Sequence, residues 1–254
     1  MNFAVICRAL EKREDLENNA ASLYNMCRCT RQCEEIEEAY HLFQTYTVAQ
    51  MRDAEQRSIT CGVPLAQLMD NAGRALARCA ISMNPDPPVA VVCGVGNNGG
   101  DGYVCAAALR RHGVETQVWG IHRDKLADDS LAGAAAKAYE GAGGVIRPLT
   151  EGTEALSPCA FLIDAVFGTG LRRPVSGVYA HAIRLIGLSG ARVLSCDVPS
   201  GIDADTGRVM GDAVHADVTL MLGLAKPACY LPPGCECFGD ARLADIGIPE
   251  EAKP

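Results

Sequence analysis

The stretch PVAVVCGVGNNGGDGYVCAAALRR, residues Pro88–Arg111, decides how the rest of the chain is read. Val89, Ala90, Val91, Val92 and Cys93 form a short, mostly β-branched apolar run, as expected of a central parallel strand covered on both faces. Gly94-Val95-Gly96-Asn97-Asn98-Gly99 then fits G-x-G-x-x-G, and Gly100, Asp101 and Gly102 extend it. From Tyr103 to Arg111 the pattern is helical. A strand, a glycine-rich turn and a helix in that order form a phosphate- or nucleotide-binding arrangement, because glycine lets the backbone approach a ligand and a helix N-terminus favours an anion. A dinucleotide-binding dehydrogenase would also carry an acid at the end of the second strand to hold the ribose. The second strand is predicted over Glu115–Trp119, and the nearest acid beyond it is Asp124, inside a polar run.

The pattern outward from this stretch alternates. Thr47-Val48-Ala49-Gln50 has the spacing of a capping box and starts a helix. A second helix runs from about Pro64 to Ile81, with Leu65, Leu68, Met69, Ala72 and Leu76 at helical spacing. Further strands are predicted around Val145-Ile146, at Ala160–Asp164, at Arg192–Cys196 and at Asp217–Leu222. Helices are predicted over Leu126–Gly141 and Gly177–Ile186. Alternating strands and helices imply an α/β protein with a mainly parallel sheet and helices on both faces.

Three of these strands run into polar loops: Asn97 to Asp101, Asp164 with Gly168-Thr169-Gly170, and Asp197 with Ser200-Gly201. Ligands of open α/β sheets bind at the carboxyl ends of strands, so the three loops converge on one candidate site. Their clustered oxygens suit a hard cation, magnesium or a monovalent ion. There is no zinc spacing and no nucleophile elbow, which disfavours acyl transfer.

Composition narrows the class further. The chain has 254 residues, 48% of them hydrophobic, and a net charge of −8 with no basic run. Nucleic acid and anionic membranes are therefore poor partners. No apolar stretch approaches a membrane span, and the first residues are too briefly apolar for a secretory signal. Thirteen cysteines scattered through predicted strands and helices, Cys93, Cys105 and Cys196 among them, suit a reducing cytoplasm. Residues 1–45 are charged and helix-permissive, and are read as an extension outside the main domain of 46–254. Cys27, Cys29 and Cys33 there give C-x-C-x3-C without a matching pair, and read as reduced thiols.

From about Thr47 to Pro249 the chain resembles the YjeF N-terminal domain, the NAD(P)H-hydrate epimerase family. The resemblance rests on Leu68-Met69-Asp70-Asn71-Ala72-Gly73, the Gly94–Gly102 loop, Asp164-Ala165-Val166-Phe167-Gly168-Thr169-Gly170-Leu171 and Asp197-Val198-Pro199-Ser200-Gly201. It continues through Asp205-Thr206-Gly207, Ala216-Asp217-Val218-Thr219, Lys226 and Asp245-Ile246-Gly247-Ile248-Pro249. Family members usually have Glu where this chain has Asp70.

The resemblance implies a Rossmann-like three-layer α/β/α sandwich. It implies an isomerase that interconverts the R and S forms of NADHX or NADPHX, the C6-hydrated reduced cofactors, so that an S-specific dehydratase can restore them. Substrate would be held by Asn97, Asn98, Gly99, Gly100, Asp101, Gly168, Thr169, Gly170, Leu171, Arg172, Arg173, Pro174 and Asp197. One potassium ion per subunit would be held by Asn98, Asp164 and Ser200, in place of the divalent metal. Asp197 is the candidate acid/base. Asp101 ranks behind it as a residue at a helix start, and Lys226 reads either as a partner for an anionic group or as a solvated lysine. A homodimer is expected. In many members a kinase-like dehydratase follows this domain, so a standalone epimerase and one half of a bifunctional chain are both open. A non-catalytic scaffold of the same fold is the competing reading. A dehydrogenase is disfavoured by the missing ribose acid.

Overall fold

The computed structural model describes residues 43–254; the Cys27-Cys29-Cys33 cluster and most of the 1–45 extension lie outside them. Helix α1 (Val48–Thr60) opens on the predicted capping box, with the Thr47 hydroxyl accepting from the Gln50 N–H and the Gln50 side chain accepting in return from the Thr47 N–H. The Asp205 carboxylate accepts from the Val48 N–H at 2.7 Å. Helix α2 (Leu65–Ser82) buries its apolar stripe. There follow β1 (Val89–Cys93), α3 (Asn97–Arg111), β2 (Thr116–Ile121), α4 (Leu131–Gly141), β3 (Ile146–Leu149), β4 (Phe161–Ala165), α5 (Gly177–Leu188), β5 (Arg192–Cys196), β6 (Val218–Leu222) and β7 (Asp240–Ala244).

The seven strands form one sheet in the order β3-β2-β1-β4-β5-β6-β7, every neighbouring pair parallel. The expected layering follows from the period-two alternation of side chains along each strand. Val89, Val91 and Cys93 of β1 point into a core shared with α2, α3 and α4. Ala90 and Val92 point the other way, into a core with Val178, Ala182, Ile183 and Ile186 of α5. A third cluster, with Val198, Met221 and Phe238, closes the sheet near β6.

Besides the helix predicted from Leu126, which begins only at Leu131 after its N-cap Ser130, two features depart from the sequence reading. Helix α3 starts at Asn97, six residues before the predicted Tyr103, so most of the glycine run is helix and only Gly94–Gly96 forms the turn. The glycines are there for close packing. A Cβ on Gly99 would stand 2.0 Å from the Gly94 carbonyl oxygen, and one on Gly102 would stand 2.6 Å from the Cβ of Ala165. The second departure is β7, which the sequence reading omits. Its residues Asp-Ala-Arg-Leu-Ala are all at least partly exposed, as an edge strand permits, and give no apolar run.

Candidate functional site

The direction of sheet growth reverses between β1 and β4, and in open α/β sheets such a switch point opens a crevice at the carboxyl ends of the strands. A cavity of about 360 Å³ occupies it, lined by Asn97, Asn98 and Asp101 of α3, by Gly168, Thr169 and Gly170 after β4, and by Asp197 after β5. Gly99 and Gly100 are buried beneath it, Gly100 pressed against Met69 and Ala132. Leu171 is buried, while Arg172 is exposed and pairs with Asp205 at 3.9 Å. Arg173 and Pro174 lie on the same loop as it leads towards α5.

Asp197 is held tightly and awkwardly. Its φ is +68°, the left-handed region that a non-glycine residue seldom adopts. Its Oδ1 accepts from the Leu222 N–H at 3.1 Å and forms a short bond with the Lys226 ammonium. Lys226 is completely buried and also donates to the Leu222 carbonyl at 2.8 Å, so it is not a solvated lysine. Gly168 lies against this pair: a Cβ there would stand 2.9 Å from Asn98 Oδ1 and 3.2 Å from Asp197 Oδ2.

Asp101 is the fifth residue of α3, and Gly96 is the N-cap, so Asp101 is not a cap. Burial, reinforced by the negative charges of Asp197 and Glu55, pushes its carboxyl well above the usual carboxylate range. Glu55 of α1 lines the same cavity, and the sequence reading passed over it because it sits on a charged, surface-like helix. Burial and the nearby Asp197 raise its pKa, opposed by Lys226 and Arg52. The cavity thus brings three carboxyl groups towards one buried ammonium, enough to hold a proton on one side and accept one on the other.

Asp164 and Ser200 are completely buried and are not among the residues that line the cavity; they lie behind the lining residues Val166, Phe167 and Asp197. The Asp164 carboxylate is completely buried and accepts from Ser200 Oγ at 2.6 Å, the Ser200 N–H at 2.9 Å, Ser195 Oγ at 2.9 Å and the Val166 N–H at 3.3 Å. Burial raises its pKa, and those four bonds pull against the rise. The Asn98 amide nitrogen is buried without a hydrogen-bond partner. An amide, a carboxylate and a hydroxyl are hard oxygen donors carrying a single negative charge, a set that fits a monovalent cation better than zinc. Elsewhere on α2, Asp70 pairs with exposed Arg74 at 2.7 Å, and Asn71 donates to the Ile246 carbonyl at 2.8 Å.

A doubly covered parallel sheet with a polar cavity at its switch point defines a Rossmann-like α/β ligand-binding domain. Residues 65–228 match the family described as YjeF-related protein N-terminus, and the chain belongs to that family. Over 209 residues it is 35% identical to an NAD(P)H-hydrate epimerase of Levilactobacillus brevis, covering 80% of this chain and 93% of that one. It is 42% identical over 197 residues to the bifunctional NAD(P)H-hydrate repair enzyme Nnr of Thermofilum pendens, covering 74% of this chain. The chain spans 37% of the length of that relative. The crystal structure of yeast ynu0 shares the fold, with a TM-score of 0.67 at 22% identity over 80% of this chain and 88% of that one.

Proposed function

We propose that this chain is an NAD(P)H-hydrate epimerase, acting on NADHX or NADPHX beside an S-specific dehydratase. The observation that carries this reading is that Asp101 and Asp197, the latter paired with the buried Lys226, line one cavity at the switch point. The names of its relatives support the substrate class, and the bifunctional ones among them support a dehydratase as functional partner.

The C6 carbon of the hydrated ring bears a hydroxyl and is bonded to the ring nitrogen. A protonated carboxyl, Asp101, gives its proton to that hydroxyl. The C–O bond breaks, water leaves, and the nitrogen lone pair closes a C=N bond to form an iminium. Water then adds to the other face and loses a proton to a carboxylate, Asp197, and proton exchange between the two resets the site. Ring opening to an aldehyde and reclosure needs the same two groups. Lys226 holds Asp197 in place through its bond to Oδ1, which leaves Oδ2 for the substrate, and Gly168 leaves room for the ring beside it. A potassium ion bound by Asn98, Asp164 and Ser200 would supply a fixed positive charge behind the cavity lining, beside Asn98. No helix among the described residues is long and apolar enough to cross a membrane. With Cys61, Cys93, Cys105, Cys159 and Cys196 free, this supports a reducing cytoplasm as the site of action. A homodimer is the expected assembly.

The test is a coupled assay on mixed NADHX epimers with excess S-specific dehydratase, following NADH absorbance. Wild-type protein accelerates the slow phase contributed by the R form. Asp197→Asn lowers kcat by about 10²–10⁴-fold, the usual worth of a positioned acid/base group. Replacing potassium by a bulky organic cation slows the wild type. A slow phase left at its spontaneous rate by folded protein would refute the epimerase and favour the scaffold reading.

A further inference from the structure

A second cavity, of about 870 Å³, lies at the carboxyl ends of β2 and β3, and nothing in the reaction above uses it. Its wall includes His122, Arg123, Asp124, Thr150, Ser176 and Tyr179. It adjoins the first cavity through an aromatic partition. Phe167 lines the first, its ring centroid is 4.9 Å from that of Tyr179, and Tyr179 in turn meets His122 edge-on at 5.9 Å.

Size and chemistry both bear on what this space takes. Ligand pockets commonly run to about 300–1,000 Å³, so 360 Å³ is at the small end and suits one half of a dinucleotide rather than the whole. The loop 168–174 leads from the first cavity to the N-terminus of α5, a twelve-residue helix whose N-cap Ser176 makes no side-chain cap bond. Its first turn lies at the second cavity's edge, where a helix N-terminus favours an anion; the Glu151 carboxylate stands at the same place, 3.3 Å from where a Cβ on Gly177 would be, and a bound diphosphate would displace it. Arg173 lies close enough to Tyr179 to oppose the burial that raises the phenol's pKa. Arg123 pairs with Glu140 at 2.8 Å through one terminal nitrogen, while its buried Nε has no partner. The end of the second strand is also where dinucleotide-binding domains hold the adenosine ribose. Asp124, a poor ribose acid on sequence spacing alone, stands in that wall.

We propose that the second cavity holds the adenosine monophosphate half of the dinucleotide. The hydrated nicotinamide would lie in the first cavity, with the diphosphate crossing at the α5 N-terminus. This rests on the epimerase reading for the identity of the other half. The aromatic partition offers a face for the adenine, and Arg123 and Asp124 stand where the ribose 2′ position is read, so they set the choice between NADHX and NADPHX.

The experiment compares wild type with His122→Asn, which tolerates the left-handed backbone at this position (φ +50°), and Thr150→Trp, which fills the cavity from an exposed position. Two substrates are used, hydrated NADH and the hydrated reduced nicotinamide mononucleotide, and binding of adenosine monophosphate is measured separately by calorimetry. The expected result has wild type with a KM about tenfold or more lower for the dinucleotide, which is about 1.4 kcal/mol of binding. Both variants raise the dinucleotide KM towards the mononucleotide value with kcat nearly unchanged, and both weaken binding of the free adenylate. Equal KM values for the two substrates, with variants indistinguishable from wild type, would overturn the subsite and leave the epimerase standing. Adenylate binding that the variants abolish, without epimerisation of either hydrate, would keep an adenylate site and overturn the epimerase.

Discussion

Asp101 carries the clearest trade between stability and chemistry. Its carboxyl is buried, faces two other acids, and is pushed well above the usual range. A raised carboxyl favours folding when protonated, so its contribution is fully present below the unfolded pKa of about 3.9 and is lost as pH rises through the folded value. Asp101→Asn should therefore raise Tm at neutral pH, by roughly 2–4 °C for each kcal/mol recovered, while lowering epimerase activity. The gain should shrink as the buffer is taken down towards pH 4, a trend that scanning fluorimetry across pH reads directly. A gain independent of pH would mean that the charge is not its source. Asp101, Asp197 and the asparagines were legible as a site because they cluster in glycine-rich loops after apolar strands. Glu55 was not, because a lone glutamate on a charged helix has no local feature to separate it from a solvated one. Lys226 was ambiguous in the same way, since only the folded chain shows its burial.

At the scale of the element, the glycines of α3 do unequal work. Gly99→Ala places a methyl 2.0 Å from a backbone oxygen, which no rotamer can relieve. It should cost about 1–3 kcal/mol or more and shift Asn98 and Asp101 out of register. Gly187→Ala on α5 meets nothing within 4 Å, and should stabilise by about 0.5–1 kcal/mol. Denaturant melts of the two separate packing from propensity, and equal effects would contradict the assignment. The same contrast explains the misplaced start of α3. Three glycines in six residues, Asn97–Gly102, read as a turn by propensity, and only contact with Gly94, Met69 and Ala165 makes them a helix. Strands β1, β4, β5 and β6 were legible from their apolar runs. The omitted β7, an edge strand with a half-exposed polar sequence, carries no such run.

At the scale of the whole molecule, the cysteines among the described residues are distributed by depth. Burial raises the pKa of Cys93 and Cys196 well above that of a free thiol, and Cys105 rises for the same reason, whereas Cys61 is exposed. Alkylation of the native protein, mapped by mass spectrometry, should reach Cys61 early and Cys93, Cys105 and Cys196 only on unfolding. Early labelling of the core thiols would show that the sheet opens far more readily than its packing implies. The α/β layering was legible from the sequence because the strand-helix alternation repeats along the chain. The cavity sizes and the aromatic partition were not, since they depend on distances between residues far apart in sequence.

Lys226 also sets an order of events during synthesis. It lies twenty-nine residues after Asp197, so a growing chain exposes the acid's left-handed turn before its counter-charge has been made. Until β6 docks and the ammonium arrives, the bend has neither the Leu222 amide nor the lysine to hold it. The first five strands precede this bend and can pair with one another without either contact. The Asp197–Lys226 contact is one of the last the nascent protein can make, and a chain stopped before residue 226 would contain six of the seven strands without it.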